Sequence, residues 1–356
     1  MLNPLIDNVN IRSIQPIATP MAMREEVPLT PTAASAVCAG RQAIERILDR
    51  EDPRFMAIVG PCSIHNLDAA ATYARRLREL SEEVKDTILV VMRVYFEKPR
   101  SVLGWKGLIN DPWLNDTFRV EDGIRLARKF LLEVAELGLP AATEILDTLI
   151  PQYIGDLISW SAIGARTAEA QTHREIASGI STPVGFKNAT DGSLDACVNG
   201  IASALGPHHF LGVTDDGLPA VFSTSGNPYA HVVLRGGKEP NYDAAHVAEC
   251  ERRLRAAHLP GGIVVDCSHA NSHKKPELQC VAWRDVLSQI ENGNESLRGA
   301  MLESFLEEGR QDIPKDIRTL RAGLSVTDAC IGWPETEELL REAAERLAPV
   351  VAARRK

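Results

Sequence analysis

The feature that most constrains the fold is a series of eight short apolar runs, separated by segments whose apolar residues have helical spacing. The runs span residues 55–60, 88–95, 139–144, 162–166, 183–187, 230–235, 261–266 and 297–303. Helical patterns lie at 67–84, 119–137, 151–159, 194–205, 244–257 and 276–290, and another at 335–352 closes the chain. A closed parallel barrel with a helical coat accommodates such an alternation. The sequence therefore predicts an α/β fold, a (β/α)8 TIM barrel.

Two segments lie outside this alternation. Residues 1–30 contain four prolines and little periodicity, which predicts an extended arm, and a helix follows at 33–48. Strand-like runs at 208–213 and 219–224 flank Asp215-Asp216-Gly217, which predicts a β-hairpin inserted before the sixth strand. We expect an arm and helix over residues 1–50 and a single barrel over 51–356, with the hairpin at about 207–226.

Composition excludes several classes of protein. The chain is 44% hydrophobic with a formal charge of -9, so it can form a core and lacks the excess positive charge of a nucleic-acid-binding surface. We find no secretory signal and no window long enough for a transmembrane helix, which predicts a cytoplasmic protein without a membrane partner. Seven widely spaced cysteines, an odd number, argue against a disulfide framework.

The predicted strands end in ionisable side chains, at the barrel face where active sites form. Six of them are cationic: Arg93, Lys98, Arg100, Arg166, Lys187 and Arg235. So many cations at matching positions indicate an anionic ligand, and phosphorylated small molecules suit Arg and Lys best. The alternative is that each cation pairs with a carboxylate at a strand end.

Two further groups of residues allow more than one interpretation. Cys62, His269, Glu303 and Asp328 offer a mixed sulfur, nitrogen and oxygen ligand set for one divalent Mn, Fe, Co or Zn ion. The alternative is a core cysteine and a hydrogen-bonded histidine. The Arg235-Gly236-Gly237-Lys238 segment is compatible either with a backbone nest for phosphate or with a simple loop.

Longer blocks of sequence resemble a known family. They are residues 60–65 (GPCSIH), 93–100 (RVYFEKPR), 104–112 (GWKGLINDP), 164–166 (GAR), 185–188 (GFKN), 234–242 (LRGGKEPNY), 266–271 (DCSHAN) and 325–330 (SVTDAC). Together they resemble type I 3-deoxy-D-arabino-heptulosonate 7-phosphate (DAHP) synthases of the aromatic-amino-acid-regulated class, from about residue 30 to the C-terminus. The family condenses phosphoenolpyruvate with erythrose 4-phosphate and releases phosphate, as the first step of the shikimate pathway.

The resemblance implies roles for individual residues. Metal ligands are expected at Cys62, His269, Glu303 and Asp328, and catalytic roles at Lys98, Glu144, Lys187 and His269. Phosphoenolpyruvate is expected to contact Arg93, Lys98, Arg166, Lys187 and Arg235, and erythrose 4-phosphate the Lys98-Pro99-Arg100-Ser101 segment, where some relatives have Thr in place of Ser101. Glu144 is expected to orient or deprotonate the water that adds to phosphoenolpyruvate. Cys62 is expected to be a ligand and not a nucleophile.

The arm with four prolines and no core of its own predicts a homo-oligomer, dimer or tetramer, in which it lies on a neighbouring subunit. The resemblance also implies feedback inhibition by an aromatic amino acid. The matching effector positions are Asp7, Pro151, Gln152, Ile180, Ser181, Phe210 and Gly212. Phenylalanine-sensitive relatives tend to have Ser at the Gly212 position and tyrosine-sensitive ones Gly, whose missing side chain leaves room for a phenolic hydroxyl. Tyrosine is therefore the expected effector, followed by phenylalanine and then tryptophan.

Three other functions remain as alternatives, two of them enzymatic. A class I aldolase would use Lys187 as a Schiff base. An octulosonate-phosphate synthase would take arabinose 5-phosphate, although residues 98–101 favour the four-carbon sugar. A ligand-sensing barrel without activity is the third alternative, but the intact set of ligands and cations argues against it.

Overall fold

Eight parallel strands close into a barrel in the computed structural model, which describes residues 6–100 and 102–355. They are β1 (Phe55–Gly60), β2 (Ile88–Arg93), β3 (Ala141–Ile145), β4 (Trp160–Ile163), β5 (Val184–Lys187), β8 (Ala230–Leu234), β9 (Ile263–Asp266) and β10 (Leu297–Glu303). Strands β6 (His209–Val213) and β7 (Pro219–Ser223) form a separate antiparallel hairpin. Around the barrel each strand pairs with its neighbours in chain order, and β1 pairs with β10. The predicted TIM barrel with an inserted hairpin is confirmed.

Helices coat the barrel. They are α1 (Pro20–Glu26), α2 (Pro31–Leu48), α3 (Leu67–Val84), α4 (Val120–Glu136), α5 (Ile150–Ile154), α6 (Gln171–Gly179), α7 (Asp195–Ala204), α8 (Ala244–Ala256), α9 (Gln279–Glu291) and α10 (Trp333–Arg354). Within the described ranges, no helix has the length and apolarity needed to cross a membrane.

The barrel interior is a packed apolar core that α2 closes at one end. Met56, Trp160 and Val233 are fully buried there with residues from the other strands. Ile44 and Ile47 of α2 belong to the same buried cluster. Because the strands are covered on both faces, they are apolar runs without alternation, which explains why the sequence identified them.

Three elements differ from the prediction. Residues 20–26, expected to be extended, form α1, because Pro20 occupies the first helical turn and the Thr19 side chain accepts a hydrogen bond from the Ala22 amide at 3.2 Å. Helix α6 was not predicted, and it starts without a capping side chain. The segment predicted as helix at 151–159 is shorter, since α5 is followed by a single 3-10 turn at Gly155–Leu157.

Candidate active site

Three of the four predicted metal ligands converge beyond the C-terminal ends of the strands. Potential ligand atoms of Cys62, Glu303 and Asp328 all lie within 4.8 Å of one another. Metal–ligand bonds of about 2.0–2.3 Å allow two ligands of one ion to be up to roughly 4.6 Å apart, so this separation is close to that of a ligated set. The thiol lies on the loop after β1, Glu303 ends β10 and Asp328 lies on the loop before α10.

The fourth predicted ligand, His269, borders this group. Its Nε2 lies 3.9 Å from Glu303 Oε1, while Nδ1 lies 3.0 Å from Asp266 Oδ2 and 2.7 Å from Ser268 Oγ. A carboxylate that holds one ring nitrogen turns the other toward a metal, which is the usual arrangement around metal-binding histidines. The backbone of His269 has φ 57°, an uncommon conformation that loops at functional sites often contain.

Burial, Glu303 and Lys98 have the largest effects on the pKa of the Cys62 thiol. Burial raises the pKa of Cys62 to about 12, an effect that Glu303 increases and Lys98 opposes. The Lys98 ammonium donates to the Cys62 carbonyl at 3.1 Å and to its sulfur at 3.2 Å. Burial would raise the pKa of Asp328, but Lys98 and His269 lower it overall.

Two of the six predicted cations have buried carboxylate partners. Arg93 Nη2 pairs with Glu303 Oε1 at 3.2 Å, and Lys187 Nζ pairs with Asp266 Oδ2 at 2.9 Å. Strand-end pairing, the alternative to a ligand, therefore holds for these two. Burial lowers and Asp266 raises the pKa of Lys187, which is raised overall.

Lys98 is also buried, whereas the remaining three predicted cations are more open. Arg235 is half-buried, and its pKa is lowered by burial and by the nearby charge of Arg166, although Asp266 opposes this. Arg166 is exposed on the loop after β4. Arg100 is also exposed, and its Nε donates to the Trp105 carbonyl at 2.7 Å. Ser101 lies outside the described residues.

Glu144 is buried on β3 and packs directly against the end of the next strand. A Cβ atom on Gly164 would come within 2.2 Å of Glu144 Oε1. The glycine at this position therefore leaves the space that the carboxylate occupies.

The 235–238 segment is not a backbone nest. The amide of Arg235 donates to Asn188 Oδ1 at 2.8 Å, that of Gly236 to Asn241 Oδ1 at 2.7 Å, and that of Gly237 to the Glu239 carbonyl at 2.9 Å. A Cβ on Gly237 would also lie 2.2 Å from the Gly192 backbone, so this glycine permits two loops to touch. The segment is therefore a loop that these hydrogen bonds hold in place, and Arg235 lies on it.

Sequence analysis assigns no role to Asp266, although its carboxylate connects two predicted site residues, Lys187 and His269. Burial alone would raise the pKa of Asp266, but His269 and Lys187 lower it well below its usual range. The available signal was its position at the end of a predicted apolar strand, in the block that also contains His269.

Five of the seven predicted effector residues line one cavity of about 490 Å³ between α5, the end of α6 and the hairpin: Pro151, Gln152, Ile180, Phe210 and Gly212. Ser181 lines an adjoining cavity of about 320 Å³, which Gln152 and Ile180 share. Asp7 is exposed on the arm and, in the part of the chain that the structure describes, does not line the cavity of about 490 Å³.

Comparison with known proteins agrees with this geometry. The model of the DAHP synthetase I family matches residues 27–341. The chain belongs to the DAHP synthetase I family. It is 50% identical over 349 residues, 98% of both chains, to the Phe-sensitive phospho-2-dehydro-3-deoxyheptonate aldolase of Escherichia coli K12. It is 48% identical over 354 residues, 99% of both chains, to the Tyr-sensitive enzyme of that strain.

A solved structure extends the comparison to the fold. The phospho-2-dehydro-3-deoxyheptonate aldolase of Francisella tularensis SCHU S4 superposes with a TM-score of 0.93 at 43% identity, covering 95% of this chain and 99% of that one. As a member of the DAHP synthetase I family, the chain is an enzyme of DAHP synthesis in the shikimate pathway.

Proposed function

We propose that the chain condenses phosphoenolpyruvate with erythrose 4-phosphate, forming DAHP and phosphate with the help of one divalent metal ion. The observation that carries this proposal is the convergence of Cys62, Glu303 and Asp328 within 4.8 Å, with Arg93 and Lys98 in direct contact with the group. Ligands for one cation beside several fixed positive charges suit a reaction between two phosphorylated substrates.

The donor set fits a divalent transition metal. Cys62, His269, Glu303 and Asp328 would hold it, since a thiolate with an imidazole and carboxylates favours Mn, Fe, Co or Zn over Mg or Ca. When bound, such an ion supplies Lewis acidity that polarises a carbonyl oxygen. Lys98 stabilises the Cys62 sulfur as an anion, because its ammonium already donates to that atom.

The cations bind and orient the substrates. Arg93, Arg166, Lys187 and Arg235 come from four different strand ends and hold the phosphate and carboxylate of phosphoenolpyruvate, with Lys98 beside them. Arg100 and Ser101 belong to the segment that we assign to erythrose 4-phosphate. Glu144, buried at the mouth, orients the water that adds to phosphoenolpyruvate and accepts its proton.

The geometry argues against the Schiff-base alternative. A lysine must lose its proton before its amine attacks a carbonyl group. Burial disfavours the charged Lys187, but the Asp266 carboxylate at 2.9 Å, together with Tyr95 and Glu144, raises the pKa of this lysine overall. Lys187 is therefore held as a cation, which suits an anion-binding role.

Activity measurements with purified protein test the proposal. Phosphate release should require both substrates, fall to background with EDTA and return with Mn or Co. Cys62→Ala should lose metal and reduce activity by more than the roughly 10–100-fold that loss of a residue supporting a ligand costs. Cys38→Ala, at an exposed cysteine, is the matched control and should retain activity.

Each alternative gives a different result in the same assay. Full activity in metal-free protein would refute the metal-dependent mechanism. Turnover of arabinose 5-phosphate in place of erythrose 4-phosphate would favour an octulosonate-phosphate synthase. Borohydride trapping of a substrate adduct on Lys187 would indicate a class I aldolase, and absence of turnover with either sugar would favour a ligand-sensing barrel.

We further propose that an aromatic amino acid inhibits the enzyme from the hairpin cavity, and that tyrosine is the preferred effector. The Phe210 and Phe222 rings are stacked at 5.8 Å and offer an apolar wall, while Thr148, Ser223 and Thr224 provide hydroxyl groups. A buried phenol needs such a hydrogen-bond partner.

The Phe222 ring fills the space beside Gly212, since a Cβ there would lie 2.8 Å from it. The space beside Gly212 is therefore taken by this ring and is not open to the phenolic hydroxyl, contrary to the expectation from the sequence, so the glycine acts on the effector by setting the position of Phe222.

Finally, we propose that the enzyme is a homo-oligomer whose subunits meet through the arm and the hairpin. Arm residues Ile6 and Ile14 are 80% and 75% exposed, and the cross-strand hairpin pair Leu211 and Val221 is 83% and 67% exposed. Uncovered apolar side chains on two neighbouring elements support an interface with a second copy. Asp7 would reach the effector cavity only if subunit contacts bring the arm to it.

A further inference from the structure

Tyr95 lies beneath the cations of the site. It follows β2, two residues after Arg93, and its side chain belongs to the buried cluster inside the barrel. The Arg93 guanidinium carbon lies 4.0 Å from the centre of the Tyr95 ring, and the Lys98 and Lys187 ammonium groups lie 5.7 and 5.8 Å from it. One aromatic ring therefore contacts three of the cations that we assign to phosphoenolpyruvate.

The Tyr95 hydroxyl is buried without a hydrogen-bond partner in the described part of the chain, and so is Arg93 Nη1. A buried polar group without a partner lowers the stability of the folded protein. Phenylalanine would preserve the ring and its cation contacts while avoiding this loss. The hydroxyl is therefore unfavourable for folding unless another molecule supplies its partner.

The charges around the hydroxyl indicate which kind of partner fits. Burial raises the pKa of the Tyr95 hydroxyl. The positive charges of Lys187 and Arg93 lower this pKa, and the negative charges of Glu144 and Asp266 raise it. Neither carboxylate is within hydrogen-bond distance of the hydroxyl. A hydroxyl donor on a ring that lies beside an incompletely paired guanidinium and two ammonium groups suits an oxygen atom of an anionic ligand.

We propose that Tyr95 is a further binding residue, whose hydroxyl donates a hydrogen bond to an oxygen of bound phosphoenolpyruvate while its ring positions Arg93, Lys98 and Lys187. This inference rests on the proposed function. It predicts that the hydroxyl contributes to substrate affinity and nothing to the stability of the protein alone.

The test compares two tyrosine-to-phenylalanine variants of the metal-loaded enzyme. In Tyr95→Phe we expect an unfolding temperature equal to or above that of the wild type, with a Kd for phosphoenolpyruvate raised about tenfold or more by calorimetry. Tyr73→Phe is the matched control, because the buried Tyr73 hydroxyl already donates to Ser304 Oγ at 2.9 Å. It should lower the unfolding temperature and leave the Kd unchanged.

The outcomes separate this inference from the function on which it rests. If wild-type protein does not bind phosphoenolpyruvate, the proposed function is wrong and the inference fails with it. If the wild type binds and Tyr95→Phe binds equally well, only the inference is overturned. A Tyr95→Phe variant less stable than the wild type in the absence of substrate would also overturn it, because the hydroxyl would then have a partner within the protein.

Discussion

Among single residues, His231 shows how the barrel interior fixes a protonation state. Trp160 Nε1 donates to His231 Nε2 at 3.1 Å, and His231 Nδ1 lies 2.9 Å from the Tyr229 carbonyl. An imidazole that accepts at one nitrogen and donates at the other is neutral. Burial lowers its pKa to about 4, which the Tyr229 carbonyl only partly opposes.

This environment predicts that His231 makes stability depend on pH. Because the pKa is about 4 in the folded protein and near 6.5 in the unfolded chain, the unfolded state binds an extra proton between these values. Its contribution is complete above pH 6.5 and is lost as the pH falls toward 4, by up to about 1.4 kcal/mol per pH unit. Urea unfolding at pH 7, 6 and 5 should show a smaller decrease for His231→Gln than for the wild type.

The control for this prediction is an exposed histidine. His258 is exposed with φ 56°, a conformation that Asn tolerates, so His258→Asn should keep the wild-type dependence on pH. Equal decreases in the wild type and His231→Gln would mean that His231 titrates alike in both states.

At the scale of elements, α1 connects the two walls of the cavity that we propose for the effector. Arg24 of α1 pairs with Asp215 in the hairpin turn at 3.0 Å and donates to the Gln152 carbonyl of α5. The Met21 amide donates to the Asp215 carbonyl at 2.9 Å. A ligand between α5 and the hairpin therefore acts on elements that are already joined through the arm helix.

The hairpin gives the test of effector preference. Inhibition of the wild type should be strongest with tyrosine, weaker with phenylalanine and weakest with tryptophan. Gly212→Ser displaces the Phe222 ring, which lies 2.8 Å from the new Cβ position, and should shift the preference toward phenylalanine by about tenfold or more, or roughly 1.4 kcal/mol.

Gly261→Ser is the matched control, because a Cβ there meets nothing within 4 Å and the residue lies far along the chain from the hairpin. It should leave the order of inhibitors unchanged. Insensitivity of the wild type to tyrosine would exclude this effector, and an unchanged preference in Gly212→Ser would exclude the role of residue 212.

Local sequence patterns predicted the strands of the barrel well. The features that these patterns missed depend on contacts between residues far apart in the sequence. The barrel strands are short buried runs, so their apolar character alone identified them. By contrast, prolines suggested an extended arm, although Pro20 begins α1 and that helix is held by Asp215, far away in the sequence. The 235–238 loop was compatible with a nest until the positions of Asn188 and Asn241 were known.

For the molecule as a whole, exposed apolar side chains are concentrated on the arm and hairpin, with others on the loop after β2 at Val102 and Leu103. Helices cover the outer faces of the strands, the inner faces pack against one another, and α2 closes one end of the interior. The exposed apolar side chains of the arm (Ile6, Val9, Ile11 and Ile14) and of the hairpin (Leu211, Leu218 and Val221) remain uncovered within the single chain. Sequence suggested an oligomer only from a proline-rich arm without a core, and the exposed hairpin pair adds a second surface to that argument.

Assembly through this surface should determine the mass of the protein in solution. Light scattering of the wild type should report a multiple of 38.9 kDa. Leu211→Lys combined with Val221→Lys places like charges directly opposite each other on the outer face of the hairpin, so two copies can no longer bury this surface and the mass should fall toward that of one chain. Val281→Lys, at an exposed apolar residue of α9, should leave the mass unchanged. A wild-type mass of 38.9 kDa would refute the oligomer, whereas an undiminished mass in the double variant would show that the subunits meet elsewhere.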